Sequence, residues 1–424
     1  MNGSPRAAGP SGAREPRAPR GAAGRVAAVQ RQARQSLVVA AVFTVAAPVV
    51  ATLPHDTGPW LPLHVFFVGG LLSAIAGATQ LLAVTWSAAP SPPSALAHAA
   101  RWTLAAGAVA IAVGREADQT AVVGAGGAAV GVALVLVAVS LVRIRRGAVT
   151  DRFHPAIDAY LAAIAFGLVG SVLGALLGSD HVGHAYLEAR DAHVAANLFG
   201  LVGIVIAGTL PFFAATQARV KMSPRATPTG MRLAVGALAV AVVVAMVGVA
   251  SEQDGVAALG FGLYALAVVA LVVVLPRVGR KQLAWAGPRL LQLAAGIGWW
   301  AVAAALFGLH QLDAGPGRVE ILQALAIGGY AQILVASLAY FGPVLLAGGH
   351  EVLSAGFRIT RSWVGLVAAN VAALAALVGA DPVLAIALAV WIADSVARAA
   401  LLLRLLARTS APTGARTRAG RERG

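Results

Sequence analysis

A series of twelve long apolar segments constrains the fold of this chain more than any other feature. The segments lie at residues 36–53, 61–86, 99–114, 120–142, 156–178, 191–216, 231–250, 255–275, 288–309, 318–347, 361–379 and 382–406. A helix that crosses the hydrocarbon core of a bilayer needs about 20 apolar residues. Because lipid leaves no partner for unpaired backbone groups, we predict an all-α, polytopic integral membrane protein with twelve transmembrane helices.

Composition supports this class and limits the available chemistry. Charged residues make up 12% of the chain and hydrophobic residues 59%, whereas soluble domains are about 25% charged. The chain contains no cysteine, which excludes disulfides, thiolate metal sites and thiol nucleophiles. Any metal must therefore be held by His, carboxylate, Met or Tyr side chains.

Basic tails flank the predicted transmembrane domain, which spans residues 36–406. Residues 1–35 hold seven arginines and one acid among Gly, Pro, Ala and Ser, a composition typical of a disordered arm. Residues 407–424 form a second basic tail. The long basic region and the apolar segment after it favour a retained first span over a cleaved signal peptide.

The distribution of basic residues predicts the orientation. With the N-terminus in the cytoplasm, both tails and almost all basic loop residues lie inside. Only Arg115, Arg190 and Arg318 lie outside, three of 32 basic residues. This is a strong positive-inside pattern and predicts that both termini are cytoplasmic. The net charge of +15 is thereby explained by topology and by the anionic lipid bilayer, so we expect no nucleic-acid partner.

Six of the nine histidines fall on the predicted outer side, and five of them are candidate metal ligands. The six are His55, His64, His181, His184, His193 and His310; all but His55 are candidates. His64 lies three residues into the second segment and His193 two residues into the sixth, within about one turn of each outer helix start. We therefore expect their rings at similar depth. Neutral imidazole is a preferred ligand of copper, zinc and iron.

The other outer histidines are weaker candidates. His181 and His184 have a His-x-x-His spacing and would share a ligand if their loop forms a helical turn. His310 directly follows the ninth segment. The alternative for each outer histidine is that it only hydrogen-bonds water and lipid headgroups.

Polar neighbours of His193 are candidates for orienting it. Asn197 lies four residues later and so on the same helix face, which makes it a candidate cofactor-binding residue with His64 and His193. Tyr186, Glu188 and Asp191 could fix an imidazole tautomer, as metal-bound histidine requires. The alternative for Glu188, and especially for Asp191, is that it caps the sixth helix.

Deeper polar residues are few. Asp394 and Arg398 have an i,i+4 spacing in the last segment. We predict that they form an ion pair that faces the bundle.

Two segments carry a resemblance to a known family. The second, WLPLHVFFVGGLLSAIAGATQLLAVTW from Trp60 to Trp86, resembles the second-helix signature of NnrS-type membrane proteins, twelve-helix relatives of haem-copper oxidase subunit I. The sixth, AHVAANLFGLVGIVIAGTLPFF, resembles the His-x-x-x-Asn-Leu-Phe-Gly helix of haem-copper-oxidase-like regions sometimes attached to multicopper oxidases. The resemblance implies a bacterial plasma-membrane protein with haem or copper near the outer leaflet. It also implies a role in nitric oxide or copper stress, and an electron-transfer or multicopper oxidase partner.

The sequence departs from this family at its metal ligands. Val65 stands where NnrS-type sequences usually carry an acid, and the seventh and tenth segments contain no histidine, although a true oxidase needs them there. We therefore expect a haem or copper site with fewer ligands, in a sensor, a protective factor or a degenerate oxidoreductase, and no oxygen reduction. The alternatives are a secondary transporter built from two six-helix halves and an assembly factor without a cofactor.

Overall fold

The protein is a helical bundle with twelve helices of transmembrane length. The computed structural model describes residues 22–346 and 349–410, and all regular structure in this part of the chain is helical. Spans 1 to 12 are Val26–Val50, Trp60–Ser87, Ser94–Glu116, Thr120–Arg146, His154–Gly178, Gly183–Ala218, Pro228–Ala250, Asp254–Val273, Pro288–His310, Arg318–Leu345, Val352–Leu377 and Asp381–Ala407. This confirms the fold class and the number of helices predicted from the sequence.

The first helix begins earlier than the sequence indicates. It runs over Ala22–Val50, so residues 22–35 of the predicted disordered arm are helical. Val29 and Ala33 are buried against the bundle, and Gln35 accepts a hydrogen bond of 2.7 Å from Arg101 in span 3. These contacts stabilise a helical extension that the basic composition obscures. The predictions for residues 1–21 and 411–424 lie outside the described residues.

Shorter helices and caps complete the connections. The helix Arg280–Ala286 precedes span 9, and span 11 is divided into Gly349–Ile359 and Trp363–Leu377. Ser362 caps the second of these helices, because its hydroxyl accepts a bond of 2.7 Å from the amide of Gly365. The same hydroxyl donates to Asp394, which forms an ion pair of 2.9 Å with Arg398. The predicted pair is thus confirmed and joins spans 11 and 12.

Spans 2, 6 and 10 form the centre of the bundle. Their apolar windows are 72%, 94% and 67% buried, whereas no other span exceeds 44%. Each of these three spans contains a π-helical segment: Val65–Leu71, Ala195–Gly203 and Leu325–Ala331. Such segments are rare and widen the helix, which shifts the following side chains around the axis and leaves backbone carbonyls without their usual partners.

Buried tyrosines bond to the carbonyls of the π segment in span 6. Tyr330 of span 10 donates to the carbonyl of Leu198, and Tyr264 of span 8 donates to that of Phe199, both at 2.7 Å. Both tyrosine side chains are fully buried. Since a buried carbonyl without a partner is costly, these two hydroxyls stabilise the π segment and tie span 6 to its neighbours.

Packing repeats every four spans. Spans 1 and 2, 5 and 6, and 9 and 10 pack as pairs, as do spans 3 and 4, 7 and 8, and 11 and 12. In each central span a glycine lies against a ring of the preceding span: Gly69 against Phe43, Gly200 against Phe166 and Gly328 against Trp299. A Cβ at any of these glycines would come within 3.0 Å of a ring atom. Spans 2, 6 and 10 therefore share the same local packing against the span that precedes each of them.

Candidate functional site

His64 lies where span 2 changes from α-helix to π-helix. It ends the α-helical segment Trp60–His64 and directly precedes Val65. Its ring stacks on the indole of Trp60, with centroids 3.9 Å apart, and its Nδ1 lies 2.9 Å from the Trp60 carbonyl oxygen. Because a carbonyl can only accept, this contact assigns the proton to Nδ1. Nε2 of His64 therefore keeps its lone pair.

His193 occupies the corresponding transition in span 6, two residues before the π segment that begins at Ala195. Its Nδ1 lies 2.8 Å from the carbonyl oxygen of Gly170 in span 5. The same argument places the proton on Nδ1 and leaves Nε2 as the free acceptor. Gly174 lies one turn further along span 5, and a Cβ there would be only 2.6 Å from Cε1 of His193. Span 5 thus provides both the hydrogen bond and the space for this imidazole.

The two rings face each other across the interface of spans 2 and 6. Their centroids are 6.4 Å apart and their planes differ by 12°. The lone pair of each Nε2 lies in its ring plane, so both nitrogens must be directed at one metal to share it. The 6.4 Å separation brings the two rings within the range of two metal–imidazole bonds of about 2.0 Å each. In metalloproteins a histidine ligand is oriented by a hydrogen bond from its other ring nitrogen, often to a backbone carbonyl. The carbonyl next to each Nδ1 provides such a contact here. Both rings are half-buried.

Asn197 supports the position of His193. Its carboxamide nitrogen donates to the His193 carbonyl oxygen at 3.1 Å and lies 3.2 Å from the ring Nδ1. The carboxamide also packs on Gly170, where a Cβ would overlap it. The structure therefore places Asn197 beside His193, as its spacing indicates, and in contact with the glycine whose carbonyl orients the ring.

The remaining predicted ligands do not complete the pair. His181 is exposed and lies 2.9 Å from the Ser179 hydroxyl, and His184 is exposed in the turn Gly183–Ala185. His310 ends span 9 and is half-buried. Within the described residues no group of three or more His, Asp or Glu side chains could hold a metal ion together. Metal binding by these three histidines stays a prediction.

Asp191 has a different partner from those that the sequence suggests. The helix of span 6 starts with the turn at Gly183 and continues from Tyr186, so Asp191 lies inside it and does not cap it. Its carboxylate forms an ion pair of 2.8 Å with Arg318 of span 10. Backbone carbonyls, and not Tyr186, Glu188 or Asp191, orient the two imidazoles. Both sequence interpretations of Asp191 are corrected by this contact.

Sequence reasoning missed three residues of the site. They are Trp60, Gly170 and Gly174. Their roles depend on which helices are neighbours, which spacing within one segment does not specify. The stripe of glycines in span 5 is nevertheless a usable signal, because it marks where large side chains of another helix are received.

The architecture defines a multi-pass helical membrane protein. No family model matches the chain, and no curated protein matches it significantly.

Proposed function

We propose that the protein binds one transition metal, as a copper ion or a haem iron, through Nε2 of His64 and Nε2 of His193. The observation that supports this most strongly is the proximity of the two rings, together with the carbonyl at each Nδ1. They are nearly parallel at 6.4 Å, and each has its Nδ1 against a backbone carbonyl. An imidazole prepared in this way presents a lone pair and no proton, which is the state that binds a metal.

The available residues fit a centre with few protein ligands. The chain contains no cysteine. Among the ligands that remain, imidazole suits both copper and iron. His64 and His193 would hold the copper ion or the haem iron. When bound, the metal would supply reversible one-electron chemistry.

The role we propose is protection or sensing in nitric oxide or copper stress, or a degenerate oxidoreductase activity with an electron-transfer or multicopper oxidase partner. This proposal rests on the resemblance of spans 2 and 6 to NnrS-type proteins. Spans 7 and 10 contain no histidine, so oxygen reduction at a haem-copper pair is not part of it.

Metal analysis of the purified protein tests the proposal. We expect about one copper or iron per chain, with a Soret band if the iron is in haem. His64→Ala and His193→Ala should each remove the metal. His98→Ala should retain it, because His98 lies in the first two turns of span 3, where its Nδ1 is 3.2 Å from Nη2 of Arg101. Size-exclusion profiles and thermal midpoints establish that the variants are folded.

A wild-type protein without stoichiometric metal would contradict the proposal and favour a cofactor-free assembly factor or a transporter. Retention of metal by a folded double variant, with both His64 and His193 replaced by alanine, would equally overturn it.

We further propose that both termini face the cytoplasm of a bacterial plasma membrane. Twelve spans put the ends on one side, and the distribution of arginines selects the inner side. A C-terminal reporter that is active only in the periplasm should stay silent, and a signal from it would contradict this orientation.

A further inference from the structure

Three arginines surround one indole at the end of span 6 that lies opposite His193. The Cζ atoms of Arg219, Arg289 and Arg361 lie 3.9, 5.1 and 5.9 Å from the ring centroid of Trp285. Arg219 follows the last turn of span 6, Arg289 lies in the first turn of span 9, and Arg361 joins the two helices of span 11. Three like charges on one ring repel each other in a region of low dielectric.

Arg289 is buried without a hydrogen bond. Its side chain is 1% exposed, and Nε, Nη1 and Nη2 all lack a partner. Its guanidinium meets aromatic rings only, with centroids 5.1 Å away for Trp285, 5.4 Å for Tyr340 and 5.0 Å for Phe357. Cation–π contacts offset part of the desolvation of a guanidinium but leave its five N–H donors unsatisfied.

Among the described side chains, no carboxylate pairs with these three arginines. None of the ion pairs between described residues includes Arg219, Arg289 or Arg361. The nearby Asp394 already accepts from Ser362 and Arg398. Arg361 donates to the carbonyl oxygen of Trp285, while its Nε has no partner.

We propose that Arg219, Arg289 and Arg361 form a binding site for a phosphate-bearing anion. Guanidinium groups bind phosphate oxygens with two parallel hydrogen bonds, and three of them match the several oxygens of one phosphate. Arg361 packs beside Gly287, the residue before the span 9 helix. Arg219 is exposed, so its guanidinium can leave the indole and admit the anion from that side.

Either of two sources could supply this phosphate, an anionic lipid headgroup or free inorganic phosphate. Basic pockets between transmembrane helices on the cytoplasmic side are typical binding places for anionic lipids. The site does not depend on the proposed metal, because the residues that form it lie at the other end of span 6 and share no contact with His64 or His193.

Binding by the full-length, delipidated protein in neutral detergent tests the proposal. Phosphatidylglycerol, phosphatidylcholine and inorganic phosphate are titrated separately at constant chloride, and binding is followed by native mass spectrometry and by Trp fluorescence. We expect phosphatidylglycerol or inorganic phosphate to bind about tenfold or more tightly than phosphatidylcholine or chloride, and the successful probe identifies the source.

Matched variants connect this binding to the three arginines. Arg289→Gln and Arg219→Gln should each weaken it by about tenfold or more. Arg277→Gln should not, since Arg277 lies in the loop before span 9 and is not one of the three described arginines around Trp285. Arg219→Gln keeps the test decisive if Arg289→Gln does not fold, because Arg219 is exposed. Equal binding of all probes, or unchanged binding by folded Arg219→Gln, would overturn the proposal.

Discussion

Gly174 in span 5 determines how closely span 6 can present His193. In a Gly174→Ala variant the new Cβ would lie 2.6 Å from Cε1 and 3.0 Å from Nδ1 of the ring. Ordinary contact begins at 3.4 Å, so the ring must move by about 0.8 Å. Functional groups need to be held within about 0.5 Å of their productive position. The shift also strains the 2.8 Å contact between Nδ1 and the Gly170 carbonyl.

Loss of an orienting contact of this kind weakens metal binding by about 10- to 100-fold, which corresponds to about 1.4–2.7 kcal/mol. We expect Gly174→Ala to fall in this range for whichever metal the wild-type protein holds, measured by chelator competition for copper or by haem titration.

Gly131→Ala is the matched control for this substitution. Gly131 lies within the helix of span 4, and a Cβ there would meet no heavy atom within 4 Å. Each substitution replaces glycine by alanine within a helix and so favours the helix by the same amount, about 1 kcal/mol. Only Gly174→Ala should therefore lower the affinity for the metal. Wild-type affinity in a folded Gly174→Ala protein would refute the assignment of His193 as a ligand held by span 5.

Two further predictions concern contacts between the central spans. Tyr330→Phe removes the donor to the buried Leu198 carbonyl and should lower stability in detergent by about 0.6–1.7 kcal/mol. Tyr186→Phe should not lower it, because the ring of Tyr186 is exposed. Equal thermal midpoints of wild-type and Tyr330→Phe protein would contradict the role of the Tyr330 hydroxyl. Asp191→Asn and Arg318→Ala break the same ion pair. The stability lost by the double variant should therefore differ from the sum of the two single losses by about 0.5–3 kcal/mol. A double variant whose loss equals that sum would exclude coupling between the two residues.

Hydropathy determines much of this fold, because twelve apolar runs of sufficient length leave the chain few alternatives in lipid. The starts of spans 1 and 6 were harder to predict. The helices begin at residues 22 and 183 and not at 36 and 191, because polar and charged side chains at a membrane surface are compatible with a helix. The sequence shows no periodicity that distinguishes the π segments from α-helix. Two carbonyls of the π segment in span 6 accept hydrogen bonds from tyrosines of spans 8 and 10, which are distant in sequence.

The two candidate sites show different limits of sequence reasoning. Position within a span predicts that His64 and His193 lie at similar depth. The distance of 6.4 Å between their ring centroids depends on which spans are neighbours, which the sequence does not specify. From the charge pattern alone, Arg289 is predicted to be one of many basic residues on the inner side. It does not reveal that Arg289 is buried among aromatic rings without a partner, because burial is decided by tertiary packing.

X-ray absorption spectroscopy of the metal-loaded protein tests the central proposal most directly. If His64 and His193 share one metal, the spectrum should show scattering from two imidazoles with metal–nitrogen distances of about 2.0 Å. His193→Gln should reduce this to one imidazole if metal is retained. Absence of imidazole scattering, or an unchanged spectrum when both histidines are replaced by alanine, would contradict the account.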